Sequence, residues 1–125
     1  MNQITVNVQN RVGALSDVCE LLGSSGINIL GITAYGEGDS GSIRVITNDV
    51  VTTERILKQN NYPSVTSDIF LVRVKHRPGE LGKLTKKIAK ANVNIYSIYM
   101  LGRENDEGIF AISSDQNEKL KAFLV

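Results

Sequence analysis

Two stretches of this 125-residue chain carry residue types that can hold a small charged ligand: Asn10-Arg11-Val12-Gly13-Ala14-Leu15 and His76-Arg77-Pro78-Gly79-Glu80-Leu81. In each, a glycine stands where an alternating apolar pattern gives way to a helical one. The start of a helix offers unpaired N–H groups and a partial positive charge, and a glycine lets a ligand approach the backbone closely. Such a turn can seat a carboxylate. Pro78 suits it, because the N–H that proline lacks has no partner in a first helical turn. A plain tight connection from strand to helix has the same appearance, so the turn alone assigns no ligand. The second repeated feature is Asn28 and Asn94, in Ile27-Asn28-Ile29 and Val93-Asn94-Ile95. A carboxamide both donates and accepts, so it can hold either end of a zwitterion. It can equally bond the backbone of its own turn.

The elements that must position these residues occur twice. At a shift of 66, that between Val6 and Val72, the pairs Arg11/Arg77, Gly13/Gly79, Leu15/Leu81, Asn28/Asn94, Ile43/Ile109, Ile46/Ile112 and Asp49/Asp115 are identical without a gap. Glycine and asparagine in register with the apolar pattern point to duplication. Two units are expected, at residues 1–67 and 68–125, with the boundary near Pro63 to Asp68. Ile4, Val6 and Val8 alternate with polar residues, as do Phe70, Val72 and Val74, which predicts a half-buried first strand in each unit. Leu15, Val18, Cys19 and Leu22, and then Leu81, Leu84 and Ile88, have the spacing of a helix with one buried stripe. Strands follow at Ile27–Tyr35 and Val93–Leu101, then glycine-rich turns and further strands at Ser42–Thr47 and Ile109–Ser113. Second helices are expected at Thr52–Asn60, capped from Asn48-Asp49, and at Gln116–Leu124, capped from Ser113-Ser114-Asp115. An extended stretch around Val65 supplies a fourth strand to the first copy. The second copy shows no counterpart before residue 125, so its sheet is left with three strands or completed by another segment or chain. The expected class is α+β: two tandem ferredoxin-like βαββαβ units with antiparallel sheets, the second lacking its last strand.

Composition narrows the function classes. A net charge of +1, from 14 Lys+Arg and 13 Asp+Glu, creates no global field for nucleic acid or an anionic membrane. The expected middle strands offer only Phe110 for stacking on bases, which argues against a nucleic-acid-binding module. No basic stretch leads into an apolar run at the N-terminus, and no segment is apolar for long enough to span a bilayer, so a cytoplasmic location with no membrane partner is expected. Cys19 is the one cysteine and His76 the one histidine, so neither a disulfide framework nor a metal site of the usual zinc type is expected, and no cofactor is implied. Lys83, Lys86, Lys87 and Lys90 read as the solvated face of a helix, and Cys19 as a small core residue. No Ser/His/Asp set, carboxylate pair or Walker-type loop appears.

The two turns, taken with the segments around Asn28 and Asn94, resemble the Asn-Arg-x-Gly-x-Leu and Gly-x-Asn-Ile pattern of ACT domains, regulatory modules that bind amino acids in biosynthetic enzymes. The first copy carries it as Asn10 to Leu15 with Gly26-Ile27-Asn28-Ile29, and the second as His76 to Leu81 with Asn92-Val93-Asn94-Ile95. The resemblance implies a ferredoxin-like fold, side-by-side pairing of domains and an effector at the seam between them. It places ligand contacts on Asn10, Arg11, Val12, Gly13, Ala14, Leu15, Asn28 and Ile29 in the first copy. In the second they fall on His76, Pro78, Gly79, Glu80, Leu81, Asn94 and Ile95. His76 in place of Asn10, and Asn92 in place of Gly26, leave open whether both sites work. In a βαβ unit the end of strand one and the start of strand two lie at opposite ends of the sheet, so one copy cannot unite its two motifs. Two copies packed antiparallel would pair Asn10 with Asn94 and His76 with Asn28.

The expected function is therefore that of a free-standing, non-enzymatic regulatory protein. It binds a free amino acid between ACT-like domains and acts on a partner enzyme of amino-acid metabolism. Exposed sheet edges favour a homodimer. The alternatives are a ferredoxin-like dimerisation scaffold and an acylphosphatase-like small enzyme. The latter rests on a passing likeness of Val8 to Gly13 to a phosphate loop, and Ala14-Leu15 supplies no arginine for a phosphate.

Overall fold

A computed structural model describes residues 1–124, which divide into two compact units, Asn2–Ser67 and the chain from Asp68 onward together with Met1. The first unit runs β1 (Asn2–Gln9), α1 (Ala14–Ser24), β2 (Ile29–Glu37), β3 (Ser40–Thr47), α2 (Val50–Gln59), β4 (Ser64–Asp68), with sheet order β2-β3-β1-β4. The period-2 pattern of β1 buries Ile4 and Val6 with Ile43 and Val45 of β3, beneath Val18 and Leu22 of α1 and Leu57 of α2. Each such side chain contributes about 1.5–3 kcal/mol on leaving water. The second unit runs β5 (Phe70–Lys75), α3 (Glu80–Lys90), β6 (Ile95–Glu104), β7 (Glu107–Ser114), α4 (Asn117–Leu124). Its sheet among the described residues has three strands, β5-β7-β6, over a core of Ile88, Val93, Ile112 and Leu120. No helix among the described residues is long and apolar enough to cross a membrane.

Helix ends explain why β2 and β6 begin two residues later than the apolar pattern predicts. After α1, Gly26 adopts φ 77°, the Ile27 N–H donates to Leu22 O at 3.0 Å, and the Gly26 N–H donates to Gly23 O at 3.1 Å. After α3, Asn92 adopts φ 60°, with Val93 N–H donating to Ile88 O and Asn92 N–H to Ala89 O. Both are left-handed caps with an apolar contact across the last turn, Ile27 on Leu22 and Val93 on Ile88. Ile27 and Val93 thus close helices, and β2 and β6 begin at Ile29 and Ile95. The exchange of Gly26 for Asn92 is accordingly a matter of backbone handedness, since asparagine tolerates this region better than other side chains. Asn92→Gly is expected to leave urea stability nearly unchanged, whereas Asn92→Val should lower it by about 1–2 kcal/mol; equal curves would show that the cap is unimportant. The helix α2 begins at Val50, earlier than expected, because Asp49 is its cap: the carboxylate accepts the Thr52 N–H at 3.0 Å and the Thr52 hydroxyl at 2.7 Å. Those two hydrogen bonds hold the Asp49 carboxyl below its ordinary pKa.

The repeats do not superpose without a gap. Val6 pairs with Ile43 across β1 and β3, but Val72 pairs with Phe110 across β5 and β7. Ile43 therefore corresponds to Phe110, a shift of 67, and the identities of Ile43 with Ile109, Ile46 with Ile112 and Asp49 with Asp115 are not structural. The extra residue is Leu101, which sits as a bulge in β6 between the pairs Met100/Phe110 and Gly102/Ile109. Leu30 and Tyr96 are skipped in the ladders of both units alike.

Candidate functional site

In the first unit the turn from β1 to α1 is set by Gly13, whose φ of 90° is a conformation a side chain would strain. Ala14 N–H closes on Arg11 O at 3.2 Å and Asp17 N–H on Gly13 O at 2.9 Å. No side chain caps the helix, so first-turn N–H groups remain for a ligand. Arg11 folds over the turn and lines the recess beside it: its guanidinium donates to Asp17 at 2.6 Å and to Val12 O at 3.1 Å. The hydrogen bond to Asp17 raises the Arg11 pKa, although an ion pair this exposed orients the side chain more than it stabilises the fold. Val12 is fully exposed, and Leu15, expected in the buried stripe, is 44% exposed.

Asn10 is held from three sides by the β2–β3 hairpin. Its backbone N–H donates to Asp39 O at 3.0 Å, its Nδ2 donates to Gly38 O at 2.9 Å, and its carboxamide lies directly over Gly36. A Cβ at Gly36 would stand 2.5 Å from Asn10 Oδ1, so only glycine permits the approach. One Nδ2 N–H is engaged, so Asn10 can offer a ligand its second N–H as a donor and Oδ1 as an acceptor. Beside it lies a recess of about 180 Å³ whose walls include Val8, Asn10, Ala14, Leu15, Ala34 and Tyr35. Ser42 lines the same recess, and its buried hydroxyl has no hydrogen-bond partner. The Tyr35 phenol donates to Glu37 at 2.8 Å, which raises its pKa and keeps it protonated. A second hollow, of about 350 Å³, flanks the turn on the side of Asn61, Tyr62 and Pro63, but Asn10 does not line it.

The corresponding turn of the second unit has the same backbone and different surroundings. Gly79 has φ 87° and caps α3 with no side-chain hydrogen bond. The His76 N–H donates to Asp106 O at 2.7 Å, matching Asn10 and Asp39, but the His76 side chain is exposed and takes no part in holding the hairpin. The carbonyl equivalent to Gly38 O is instead taken within the hairpin, by Arg103 Nε donating to Asn105 O at 3.2 Å. Asn105 and Gly38 are equivalent, both left-handed, at φ 57° and 59°. Pro78 precedes the cap, Leu81 is 40% exposed, and Glu80 directs one carboxylate oxygen at Arg77 (3.6 Å) and Lys83 (3.5 Å).

Asn28 and Asn94 stand just before β2 and β6. Their side chains do not bond their own turns; the Asn28 N–H donates to Asn48 Oδ1 and the Asn94 N–H to Asp115 Oδ1, each at 2.9 Å. Both carboxamides are exposed. Ile29 and Ile95 pack their side chains against the cores. Within one unit the two motifs stay apart: Asn10 meets β2 at Gly36, eight residues from Asn28, or about 26 Å at a strand rise of roughly 3.3 Å per residue.

A family model described as an ACT domain pair matches residues 1–125. The chain belongs to that family. Among solved structures, this ACT domain pair is similar to a protein from Bacteroides thetaiotaomicron at 24% identity, with a TM-score of 0.86 over 97% of this chain and 86% of that one. It is also similar to the regulatory subunit of aspartate kinase from Thermus thermophilus at 16% identity, with a TM-score of 0.72 over 94% and 85%. The aspartate kinase from Clostridium acetobutylicum shares 18% identity and a TM-score of 0.57 over 94% of this chain and 30% of that one. These likenesses carry the fold. No curated protein matches the sequence.

The hairpin clasp around Asn10 was not foreseen from the sequence of the ACT domain pair. Its signal was present in Gly36 and Gly38, which the second copy replaces with Arg103 and Asn105 once the Leu101 bulge is counted.

Proposed function

We propose that this ACT domain pair binds a free amino acid at the first turn and thereby regulates an enzyme of amino-acid metabolism, without catalysing a reaction itself. The observation that carries the reading is the fixed Asn10 carboxamide beside an uncapped helix start and a small recess. The three offer separate complements to a zwitterion. The first-turn N–H groups of α1 take the carboxylate, Asn10 Oδ1 accepts from the ammonium, and the recess takes the side chain. A recess below the roughly 300–1,000 Å³ of drug-sized sites suits so small a ligand. In this reading Asn94 of another ACT unit closes over the ligand, since Asn28 of the same unit is too far away. Asn28 and His76 would form the reciprocal pair, and two chains would associate as a cytoplasmic homodimer. Support from the fold comes from a neighbour that is a regulatory subunit and another described as an allosteric enzyme.

A thermal-shift screen of the twenty amino acids tests this. A ligand specific to the folded state adds about 2.7 kcal/mol at a hundredfold excess over its dissociation constant. One amino acid, or one chemically related group, should raise the melting temperature by several degrees. No shift with any of them, for a folded sample, would overturn the reading.

A further inference from the structure

The two turns differ by more than the exchange of Asn10 for His76. The strand register aligns Ala34 with Met100, which face Ile43 and Phe110 across their hairpins, and Gly36 with Arg103, which face Gly41 and Gly108. Ala14 corresponds to Glu80, each the first residue of its helix. Around the first turn, then, stand two alanines, a glycine and an isoleucine. Around the second stand glutamate, methionine, arginine and phenylalanine.

We propose that the second turn is closed from within, so that each chain holds one amino acid, at the first turn. The proposal deepens the reading above and rests on it. Space on the hairpin side of the turn is the first argument; the hollow of about 380 Å³ beside Glu80 lies between β5 and α3 and is not lined by His76, Met100, Arg103 or Phe110. A Cβ at Gly108 would lie 3.0 Å from Phe110 Cε2 and 3.4 Å from Met100 Cε, so these two side chains lie over the glycine. At Gly41 the nearest atoms are Val8 Cγ2 at 3.0 Å and the backbone O of Tyr35 at 3.5 Å, and the recess remains. Charge is the second. The Glu80 side chain, 22% exposed, already places a carboxylate in the first turn of α3, where the helix dipole favours one. Arg77 and Lys83 approach its Oε1 at 3.6 and 3.5 Å, so an incoming carboxylate must compete with a tethered one for the helix start. Orientation is the third: Arg103 holds the carbonyl equivalent to Gly38 O, and His76 is left without the clasp that fixes Asn10.

Isothermal titration of the full chain with each of the twenty amino acids decides the matter. The binding amino acid should saturate at one per chain. Ala34→Met, which brings the second unit's residue to an exposed position of the first recess, should remove all measurable heat, whereas Met100→Ala should leave stoichiometry and affinity unchanged. Ala14→Glu should act as Ala34→Met does; should it fail to fold, Ala34→Met still decides. Saturation at two per chain, or an Ala34→Met protein that keeps half the sites, would overturn the single-seat proposal while leaving amino-acid binding intact. No heat with any amino acid would overturn both.

Discussion

Gly36→Val is expected to weaken amino-acid binding at least tenfold in a protein that still folds. Gly36 lies on β2, at the edge of its sheet, where valine is a good strand residue, so the ladder to β3 should persist. What the new side chain cannot do is coexist with Asn10. Its Cβ would fall 2.5 Å from Oδ1, 2.9 Å from Cγ and 3.2 Å from Nδ2, and the carboxamide must swing away, breaking its bond to Gly38 O. The acceptor proposed for the ammonium is then lost from the site without any residue of the turn being changed. Affinity should fall at least tenfold by calorimetry, about 1.4 kcal/mol or more. Asn10→Ala should weaken binding similarly, and the double variant should be no worse than either, because both remove one interaction. Wild-type affinity in Gly36→Val would show that the clasp does not position the ligand.

The largest loss of stability is expected from Leu22→Ala. Leu22 is fully buried among Ile4, Val6, Val18, Ile43, Val45 and Leu57, and it carries the apolar contact with Ile27 that closes α1. Truncation removes packing from the core and from the helix end together, at an expected cost of about 2–5 kcal/mol in urea unfolding. Against a typical total of about 5–15 kcal/mol, that is a large share. A loss below about 1 kcal/mol would mean that the core relaxes into the space.

Order and type of the elements could be read from the chain because apolar periodicity is a local property: Ile4, Val6 and Val8 alternate whatever surrounds them. The family pattern was likewise legible, since Asn10, Gly13, Asn28 and their counterparts stand at fixed spacings. Register was harder. An identity such as Ile43 with Ile109 looks like correspondence until the pairing of Val72 with Phe110 shows one residue absorbed at Leu101. A bulge changes neither composition nor period enough to show in one sequence. Nor could spacing reveal that Leu15 turns outward at the recess, or that Asn10 reaches a hairpin more than twenty-five residues further along the chain. Those facts depend on contacts between distant segments, which local pattern does not encode. Asn92 illustrates the opposite case, a difference between repeats that looks functional in the sequence and is accounted for by a left-handed φ of 60°.

The central claim is that the first turn is the seat of a free amino acid, and nitrogen–proton correlation NMR during titration tests it most directly. With the amino acid selected by the thermal screen, the amide signals of Gly13, Ala14, Leu15 and Ser16 and the Asn10 side-chain NH₂ should move together and saturate at one affinity. Signals of Gly79 to Gly82 should move little. Shifts centred on the second turn, or confined to residues remote from both turns, would contradict the account.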